Sequence, residues 1–477
     1  MYVTFGERID WSFVMEREKF SSRLGFILIS AGCAIGLGNV YRFPIITGAY
    51  GGALFVLIYL GFLLLLGIPV MCAELSVGRA SQRSIASSFQ QLEKPGQKWH
   101  LMQYLGIGGN YLLMMCYTTI AGWMLIYFGK YLSGDIFSVG TDVSALGAHF
   151  GGTVGNTWLI LGSTLATIAL CLLICSLGLQ KGVERITKYM MIALLVLIIG
   201  LAAYCCTLSG AGRGLKFYLI PSAEGMKNTN VGTVITAAMG QAFFTLSVGI
   251  GSIAIFGSYI SKERSLLGEA VTITALDTFI AIASGFIIFP ACFTFTGGVN
   301  VNASTVDPSF LFTTLSSIFN HMGPVTGRIV GTLFFLFMIF AAYSTVIAVF
   351  ENIISFWLEK TKLSRRTVCL INLGLIFVLS LPAIFSKSIW EQIKIPKIGG
   401  FLDIEDFVVS NLLLPIGSMV YVLFCTSRYG WGRENFQKEI NAGKGLKFPK
   451  WLCVYMTYVL PIVIFGLLVY SLVGKFI

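Results

Sequence analysis

The stretch Gly32-Cys33-Ala34-Ile35-Gly36-Leu37-Gly38-Asn39 decides how this chain folds, because it interrupts a segment that is otherwise apolar enough to cross a lipid bilayer. Each of its three glycines costs about 1 kcal/mol relative to alanine inside a helix. Within hydrocarbon, irregular backbone survives only where it lines a cavity that satisfies its polar groups. The stretch therefore predicts a transmembrane helix that unwinds at a binding site.

Composition places the rest of the chain in a membrane as well. Its 477 residues are 56% hydrophobic and 12% charged, with a mean hydropathy of +0.82, whereas a soluble protein carries about 25% charged residues. We predict an all-α integral membrane protein with eleven transmembrane helices, each near the roughly 20 residues that a helical span needs. The predicted spans are residues 23–48, 52–78, 103–132, 156–178, 184–208, 233–262, 266–297, 324–358, 367–385, 400–426 and 450–476.

The basic residues predict the topology. A formal net charge of +11 would suggest nucleic-acid binding in a soluble protein, but most of the 33 Lys and Arg residues lie in alternate connections between the apolar segments. By the positive-inside rule, these connections and the N-terminus are cytoplasmic, and an odd number of spans places the C-terminus outside the cell. We expect a multi-pass protein of the plasma (cytoplasmic) membrane, surrounded by the lipid bilayer, without a nucleic-acid partner.

The sixth predicted span contains a second interruption. It reads Gly240-Gln241-Ala242-Phe243-Phe244-Thr245-Leu246-Ser247 and continues Val248-Gly249-Ile250-Gly251. Close packing through small residues would explain glycines alone, but both interruptions also carry polar residues. Glycine-interrupted segments at matching positions of two halves are typical of transporters built from inverted repeats, with the site at the bilayer midplane. The free ends of such half-helices suit a small cation and a carboxylate.

Ionisable residues within the apolar spans are further candidates, because a charge at the bilayer centre costs about 3 kcal/mol or more on insertion scales. Glu74, Asp277 and Glu351 lie inside spans, and Arg42 and Asp406 lie near the outer ends of theirs. Two interpretations of Glu74 stay open, a functional one and the capping of N–H groups at a broken helix. For Asp277 a cation site is favoured.

The eighth predicted span carries two adjacent hydroxyls, Ser344 and Thr345, beside the small residues Ala341 and Ala342. Such hydroxyls often bond back to their own helix. They would also offer uncharged oxygen ligands to a hard cation such as sodium. Both interpretations stay open at this point.

Three stretches resemble the neurotransmitter:sodium symporter family, in its bacterial eleven-helix amino-acid transporter form. They are Arg23 to Pro44, Gly240 to Ser247, and Gly400-Phe401-Leu402-Asp403-Ile404-Glu405-Asp406. The resemblance implies inverted five-helix repeats with unwound helices 1 and 6, and sodium-coupled import of amino acids by alternating access. The implied organisation is a cytoplasmic N-terminal segment 1–22, repeats at 23–208 and 233–426, an external hairpin at about 302–322, and an eleventh helix at 450–476.

The resemblance also implies roles for individual residues. The first of two sodium sites would use the Ala34 carbonyl, Asn39, Thr245, Asp277 and the substrate carboxylate, and the second would use carbonyls of Gly32, Ile35 and Ala341 with the hydroxyls of Ser344 and Thr345. The substrate site would comprise Ala34, Gly36, Leu37, Gly38, Leu113, Tyr117, Ile120, Phe244, Ser247, Ile250, Thr345 and Val349. Arg42, Asp406 and Gln241 would close the outer side, Arg17, Glu359 and Tyr259 the inner side, and Glu74 would steady the unwound sixth helix.

Departures from the family pattern narrow the function. Gly36 replaces the aspartate of monoamine carriers, which favours an amino acid. Asp277 replaces a common asparagine and Ala281 replaces the serine of chloride-dependent members, so we expect no chloride requirement, with proton counter-movement through Asp277 left open. Ile250 and Val349 are smaller than the Phe and Ile of a leucine-sized pocket, which favours a large hydrophobic or aromatic substrate. The missing twelfth helix favours a monomer.

Other functional classes fit less well. A channel would need a continuous polar pore, whereas the polar residues cluster at one level. An enzyme or an ATP-driven pump would need a catalytic or phosphate-binding motif, and neither His-Glu-x-x-His, Gly-x-Ser-x-Gly nor a P-loop is present. A sodium-independent amino-acid exchanger of the same general fold is the alternative that stays open.

Overall fold

The computed structural model describes residues 20–222, 230–295, 297 and 309–476, and the regular secondary structure of this part of the chain is helical apart from two isolated β-bridges. The first half contains α1 Arg23–Ala34, α2 Phe43–Ala49, α3 Ala53–Phe62, α4 Ile68–Ser81, α5 Ser88–Leu92, α6 Met102–Ser133, α7 Val143–Gly155, α8 Thr157–Ser176, α9 Arg185–Cys206 and α10 Ala211–Leu219. The second half contains α11 Val231–Leu246, α12 Ala254–Gly257, α13 Leu266–Phe295, α14 Ser309–His321, α15 Thr326–Lys360, α16 Arg365–Leu379, α17 Leu381–Phe385, α18 Phe401–Val408, α19 Leu414–Thr426, α20 Arg433–Ile440 and α21 Lys450–Phe476. Arg17 and the start of the predicted hairpin, 302–308, lie outside the described residues.

Most predicted spans correspond to helices of membrane-crossing length. The described residues contain nine helices that are long and apolar enough to cross a bilayer: Ala53–Ser81, Trp99–Ser133, Thr157–Ser176, Leu179–Cys206, Leu266–Phe295, Thr326–Lys360, Arg365–Phe385, Phe401–Thr426 and Lys450–Val473. A tenth is a bent pair, Arg23–Ala34 with Gly38–Ala49, whose parts meet at 55°. The sixth predicted span differs most, because its regular helix stops at Leu246 and resumes only at Ala254. The total of eleven spans stays a prediction.

Three widened helical turns share one sequence signal. The π-turns Gly38–Arg42, Leu63–Gly67 and Val409–Leu413 each end two residues before a proline, at Pro44, Pro69 and Pro415. A proline has no N–H to donate, and its ring collides with the carbonyl four residues earlier. The turn before it therefore opens, and the residue next to the proline bonds five residues back instead of four, as Leu414 does with the Val409 carbonyl.

The break in the sixth helix depends on left-handed backbone and on close packing. Ser247, Gly249 and Gly251 have φ values of 51°, 102° and 83°, a region that glycine enters without steric cost. A Cβ atom on Gly249 would lie 2.3 Å from the Leu414 carbonyl oxygen, and one on Gly417 would lie 1.9 Å from the Gly249 carbonyl oxygen. The unwound segment is thus fixed against α19 at the centre of the molecule.

Candidate functional site

Asn39, Thr245 and Asp277 form a fully buried group at the helix breaks, which we term the charged cluster. Asn39 Nδ2 donates hydrogen bonds to the Oδ1 atom of Asp277 at 2.7 Å and to its backbone carbonyl at 3.0 Å, and the Thr245 hydroxyl donates to its Oδ2 atom at 3.1 Å. In the part of the chain that the structure describes, no Lys, Arg or His pairs with Asp277. Because a buried carboxylate needs a partner charge, this cluster suits a small cation.

Five uncharged oxygens form a second group, which we term the neutral cluster: the carbonyls of Gly32, Ile35 and Ala341 and the hydroxyls of Ser344 and Thr345. The Thr345 hydroxyl lies 3.2 Å from the Gly32 oxygen and 3.3 Å from the Ile35 oxygen. The Ser344 hydroxyl lies 3.4 Å from the Ile35 oxygen and 3.0 Å from the Ala341 oxygen. The hydroxyls thus contact both their own helix and the broken first helix.

The chemistry of both clusters favours a hard cation over a transition metal. Their atoms are carbonyl, amide, hydroxyl and carboxylate oxygens, which hard cations prefer. Among the residues that the structure describes, no three His, Cys, Asp or Glu side chains gather in a metal-binding arrangement.

A small inner cavity lies between α6 and the two helix breaks. It is lined by Ala34, Gly36, Gly38, Leu113, Tyr117, Phe244, Ser247, Thr345 and Leu414. Tyr117 Oη accepts a hydrogen bond from the backbone N–H of Leu37 at 2.7 Å, so a phenol and unwound backbone meet at its polar side. A Cβ atom on Gly36 would lie 2.1 Å from this Oη atom and 2.5 Å from Thr345 Oγ1, so only glycine leaves room there.

Hydrogen bonds tie the two helix breaks to each other. The Ser247 hydroxyl donates to the carbonyl of Cys33 at 3.1 Å, and Gln241 Nε2 donates to the carbonyl of Gly38 at 2.8 Å. Within the first break, Asn39 Oδ1 accepts from the N–H of Gly36 at 3.2 Å. The unwound segments are therefore one hydrogen-bonded unit around the cavity.

An outer cavity lies above the inner one, and Leu113, Tyr117 and Phe244 line both. The outer cavity is also lined by Leu37, Tyr41, Arg42, Cys116, Ile120, Leu402, Asp403 and Asp406. Arg42 forms an ion pair with Asp406 at 3.3 Å, and its guanidinium lies 4.4 Å from the centre of the Phe244 ring. The Asp406 side chain is 44% exposed, so this closure is a single ion pair open to solvent on one side.

Two of the three residues predicted to close the inner side, Glu359 and Tyr259, lie in the described part of the chain. Glu359 accepts hydrogen bonds from the Ser84 N–H at 2.7 Å and the Ser87 hydroxyl at 2.6 Å. The Tyr259 hydroxyl donates to Glu351 at 2.9 Å, and Arg365 forms an ion pair with the same carboxylate. Glu351, recognised in the sequence only as a buried charge, thus joins two of the elements at this end, and the role of Arg17 stays a prediction.

Glu74 occupies the position of a cap for the unwound sixth helix. Its fully buried carboxylate accepts hydrogen bonds from the N–H groups of Gly249 at 2.8 Å, Ile253 at 3.1 Å and Ala254 at 3.4 Å. These donors have no partner within a helix because α12 begins only at Ala254. Of the two interpretations of Glu74, its contacts are those of the capping one.

Comparison with known proteins assigns the chain to a family. The model of the Sodium:neurotransmitter symporter family matches residues 17–137 and 152–475. The chain belongs to this family. The predicted family and the predicted all-α membrane fold are thereby confirmed, and the protein is a multi-pass membrane transporter of a sodium-coupled family, not an enzyme.

Similar proteins cover nearly the whole chain. An uncharacterized sodium-dependent transporter of Bacillus subtilis (strain 168), YhdH, is 31% identical over 94% of this chain and 96% of its own length. An uncharacterized sodium-dependent transporter of Haemophilus influenzae is 29% identical over 96% of this chain and 98% of its own length. The solved structure of the symporter MhsT in complex with L-phenylalanine superposes with a TM-score of 0.84 at 35% identity, covering 95% of this chain and 100% of MhsT.

The inner cavity of this symporter differs from the predicted pocket at five positions. Leu37 and Ile120 line only the outer cavity, and neither Ile250 nor Val349 lines the inner or the outer one. Ile250 instead packs against α6, where a Cβ on Gly109 would lie 2.8 Å from its Cγ2 atom. Leu414 lines the inner cavity but was not predicted to do so. The sequence signal that could have indicated the position of Leu414 is the adjacent Pro415.

Proposed function

We propose that this protein imports a neutral amino acid together with sodium, without a chloride requirement, by alternating access. The observation that carries the proposal is the inner cavity, which is lined by Tyr117 and by the first-helix break at Ala34, Gly36 and Gly38, while the charged cluster lies at the same helix breaks through Asn39 and Thr245. Each part of the substrate then has a partner in this chain, and the ions have two separate oxygen clusters.

The carboxylate of the substrate would bind at the polar side of the inner cavity. Tyr117 Oη and the backbone around Gly36 and Gly38 line that side, and free N–H groups at a helix start bind anions well. The amino group would bind near Ser247, where backbone carbonyls of the broken sixth helix are available. Because Gly36 carries no side chain, this chain offers no carboxylate there for an amine that lacks its own.

Two sodium ions would bind at the two clusters. The charged cluster would hold one ion between Asp277, Asn39, Thr245 and the substrate carboxylate, so that ion and substrate stabilise each other. The neutral cluster would hold the second with carbonyl and hydroxyl oxygens alone. Sodium-dependent relatives of nearly equal length support this coupling.

Chloride independence follows from the buried charge of Asp277. The resemblance to chloride-dependent members implies a negative charge near the first sodium ion, and Asp277 would provide that charge whenever its carboxyl group is ionised. Ala281, one helical turn further along α13, has no hydroxyl for a chloride ion and is fully buried. Proton counter-movement through Asp277 is compatible with this role.

The substrate is proposed to be large and apolar. Leu113, Phe244 and Leu414 supply the apolar wall of the inner cavity, and the similar transporter MhsT was solved with L-phenylalanine. We further propose the repeat organisation given above, a cytoplasmic N-terminus, an extracellular C-terminus and a monomeric protein.

Uptake by the purified protein in proteoliposomes tests the proposal. Labelled tryptophan or leucine should accumulate when sodium is outside, and replacing sodium with choline should abolish uptake. Replacing chloride with gluconate should leave it unchanged. Sodium-independent uptake would favour the exchanger, and competition only by small or charged amino acids would contradict the proposed substrate class.

A further inference from the structure

Leu414 begins α19 directly after the π-turn Val409–Leu413, and this turn decides which way the residue faces. Pro415 opens the turn, so the backbone gains one residue relative to a regular helix before Leu414. Leu402 and Asp406 on one face of α18 line the outer cavity. Because of the extra residue, α19 does not continue that face in the register of a regular helix. Leu414 instead lines the inner cavity.

The wall that Leu414 forms is held rigidly from behind. Gly417, one turn along α19, lies so close to the sixth-helix break that a Cβ atom on it would be 1.9 Å from the Gly249 carbonyl oxygen. A Cβ on Gly249 would in turn be 2.3 Å from the Leu414 carbonyl oxygen and 3.0 Å from the Ser418 N atom. Because the backbone of α19 is already in contact with the backbone of the sixth-helix break, it has little room to move back, and Leu414 therefore has a fixed position.

The other apolar residues of the cavity are placed differently. Phe244 is only partly buried, and it lies between the two cavities under the Arg42 guanidinium, which pairs with Asp406 at the solvent-facing closure. Leu113 likewise lines both cavities. Leu414 lines only the inner of the two cavities and is 2% exposed. It therefore forms the closed end of the apolar side of the inner cavity.

We propose that Leu414 is a specificity-determining residue that limits the length of the substrate's apolar side chain. The inference rests on the proposed function, since it concerns the same cavity. It predicts that shortening this side chain favours longer substrates and that enlarging it favours shorter ones. One extra or missing methylene group in a hydrophobic pocket changes selectivity by about 10- to 200-fold.

The experiment measures sodium-dependent uptake of labelled tryptophan and valine by the full-length protein in proteoliposomes. Leu414→Ala should raise the ratio of kcat/KM for tryptophan over valine about tenfold, and Leu414→Phe should lower it about tenfold. Leu414→Val, a smaller change that is expected to preserve the fold, should raise the ratio by about threefold. Leu412→Ala is the matched control, because Leu412 lies in the π-turn that directly precedes Leu414 and lines neither cavity, and its ratio should equal that of the wild type.

Different results distinguish a failure of this inference from a failure of the proposed function on which it rests. If the wild-type protein takes up amino acids with sodium but the Leu414 variants change both substrates equally, Leu414 is only structural and the inference is wrong. If the wild type takes up no amino acid, the proposed function fails first and the inference fails with it. Pro415→Ala adds an independent check, since restoring a regular turn should move Leu414 out of the cavity and shift the ratio in the same direction as Leu414→Ala.

Discussion

The charged and neutral clusters are built at the same helix break but from different chemistry. The charged cluster joins Asn39 of the first helix to Thr245 and Asp277, and it contains the buried carboxyl group of Asp277, which has no basic partner in the described parts of the chain. The neutral cluster joins the same helix to α15 through carbonyls and hydroxyls only. An ion at the first cluster therefore balances charge, whereas an ion at the second is held by coordination alone, and the two should respond differently to substitution.

The largest effect is expected when the charge of the first cluster is removed. Breaking a buried ion pair from one side costs about 3 to 5 kcal/mol, so Asp277→Asn should lower sodium-dependent uptake about 100-fold or more in chloride-free medium. Chloride should then restore part of the uptake, because it supplies the missing charge. The measurement compares chloride with gluconate in proteoliposomes.

Asp142→Asn is the matched control for that experiment. Asp142 accepts a hydrogen bond from the Ala145 N–H at the start of α7, far along the chain from either cluster. It should transport like the wild type in both media. If uptake by Asp277→Asn is low in both media and does not respond to chloride, Asp277 does not take the place of chloride.

The next largest effect concerns Gly36, which lies where the substrate cavity meets the neutral cluster. Gly36→Ala would place a Cβ atom 2.1 Å from Tyr117 Oη and 2.5 Å from Thr345 Oγ1, and overpacking of this kind costs typically about 2 kcal/mol. Substrate affinity should fall about 30-fold, as measured by sodium-dependent binding of labelled substrate. Gly108→Ala on α6, where a Cβ meets nothing within 4 Å, should bind normally. Normal binding by both variants would contradict the proposed position of the carboxylate.

Local patterns were sufficient to predict the helix breaks, whereas the residues of the two clusters were grouped only by the family resemblance. The glycines and polar residues around Gly36 and Ser247 mark the breaks directly, because they lower the stability of the helix within a few residues of their own positions. The distance from Asn39 to Asp277 followed only from the family resemblance. The place of Leu414 in the cavity wall was not predicted, because it depends on the π-turn before Pro415, which changes the helical register between α18 and α19.

Contacts at the inner end were also beyond sequence reasoning. Glu351 was recognised as a buried charge, but Arg365 lies in the next helix after a short turn, and nothing local indicates that it folds back onto Glu351. Glu359 likewise contacts the loop at Ser84 and Ser87, more than 270 residues earlier in the chain. Such pairs are set by tertiary packing rather than by the periodicity of any one segment.

A moderate effect is expected at the neutral cluster. Thr345→Val keeps the shape of the side chain but removes an oxygen within 3.3 Å of two first-helix carbonyls. Loss of one neutral polar contact is worth about 1 to 1.5 kcal/mol, so half-saturation should need about tenfold more sodium. Chloride should have no influence on this variant, in contrast to Asp277→Asn. A sodium titration of uptake in both media checks this, and a chloride-dependent defect would erase the proposed difference between the clusters.

The smallest effect should distinguish the two hydroxyls within the neutral cluster. Ser344 Oγ lies 3.4 Å from the Ile35 oxygen but 3.0 Å from the Ala341 oxygen of its own helix, so more of its hydrogen bonding is satisfied locally. Ser344→Ala should therefore raise the sodium requirement only about threefold, or about 0.6 kcal/mol, and the same titration measures it. A larger defect than that of Thr345→Val would mean that the ion sits closer to Ser344 and Ala341 than to the first helix. In that case α15, rather than the break in the first helix, would dominate the second ion site.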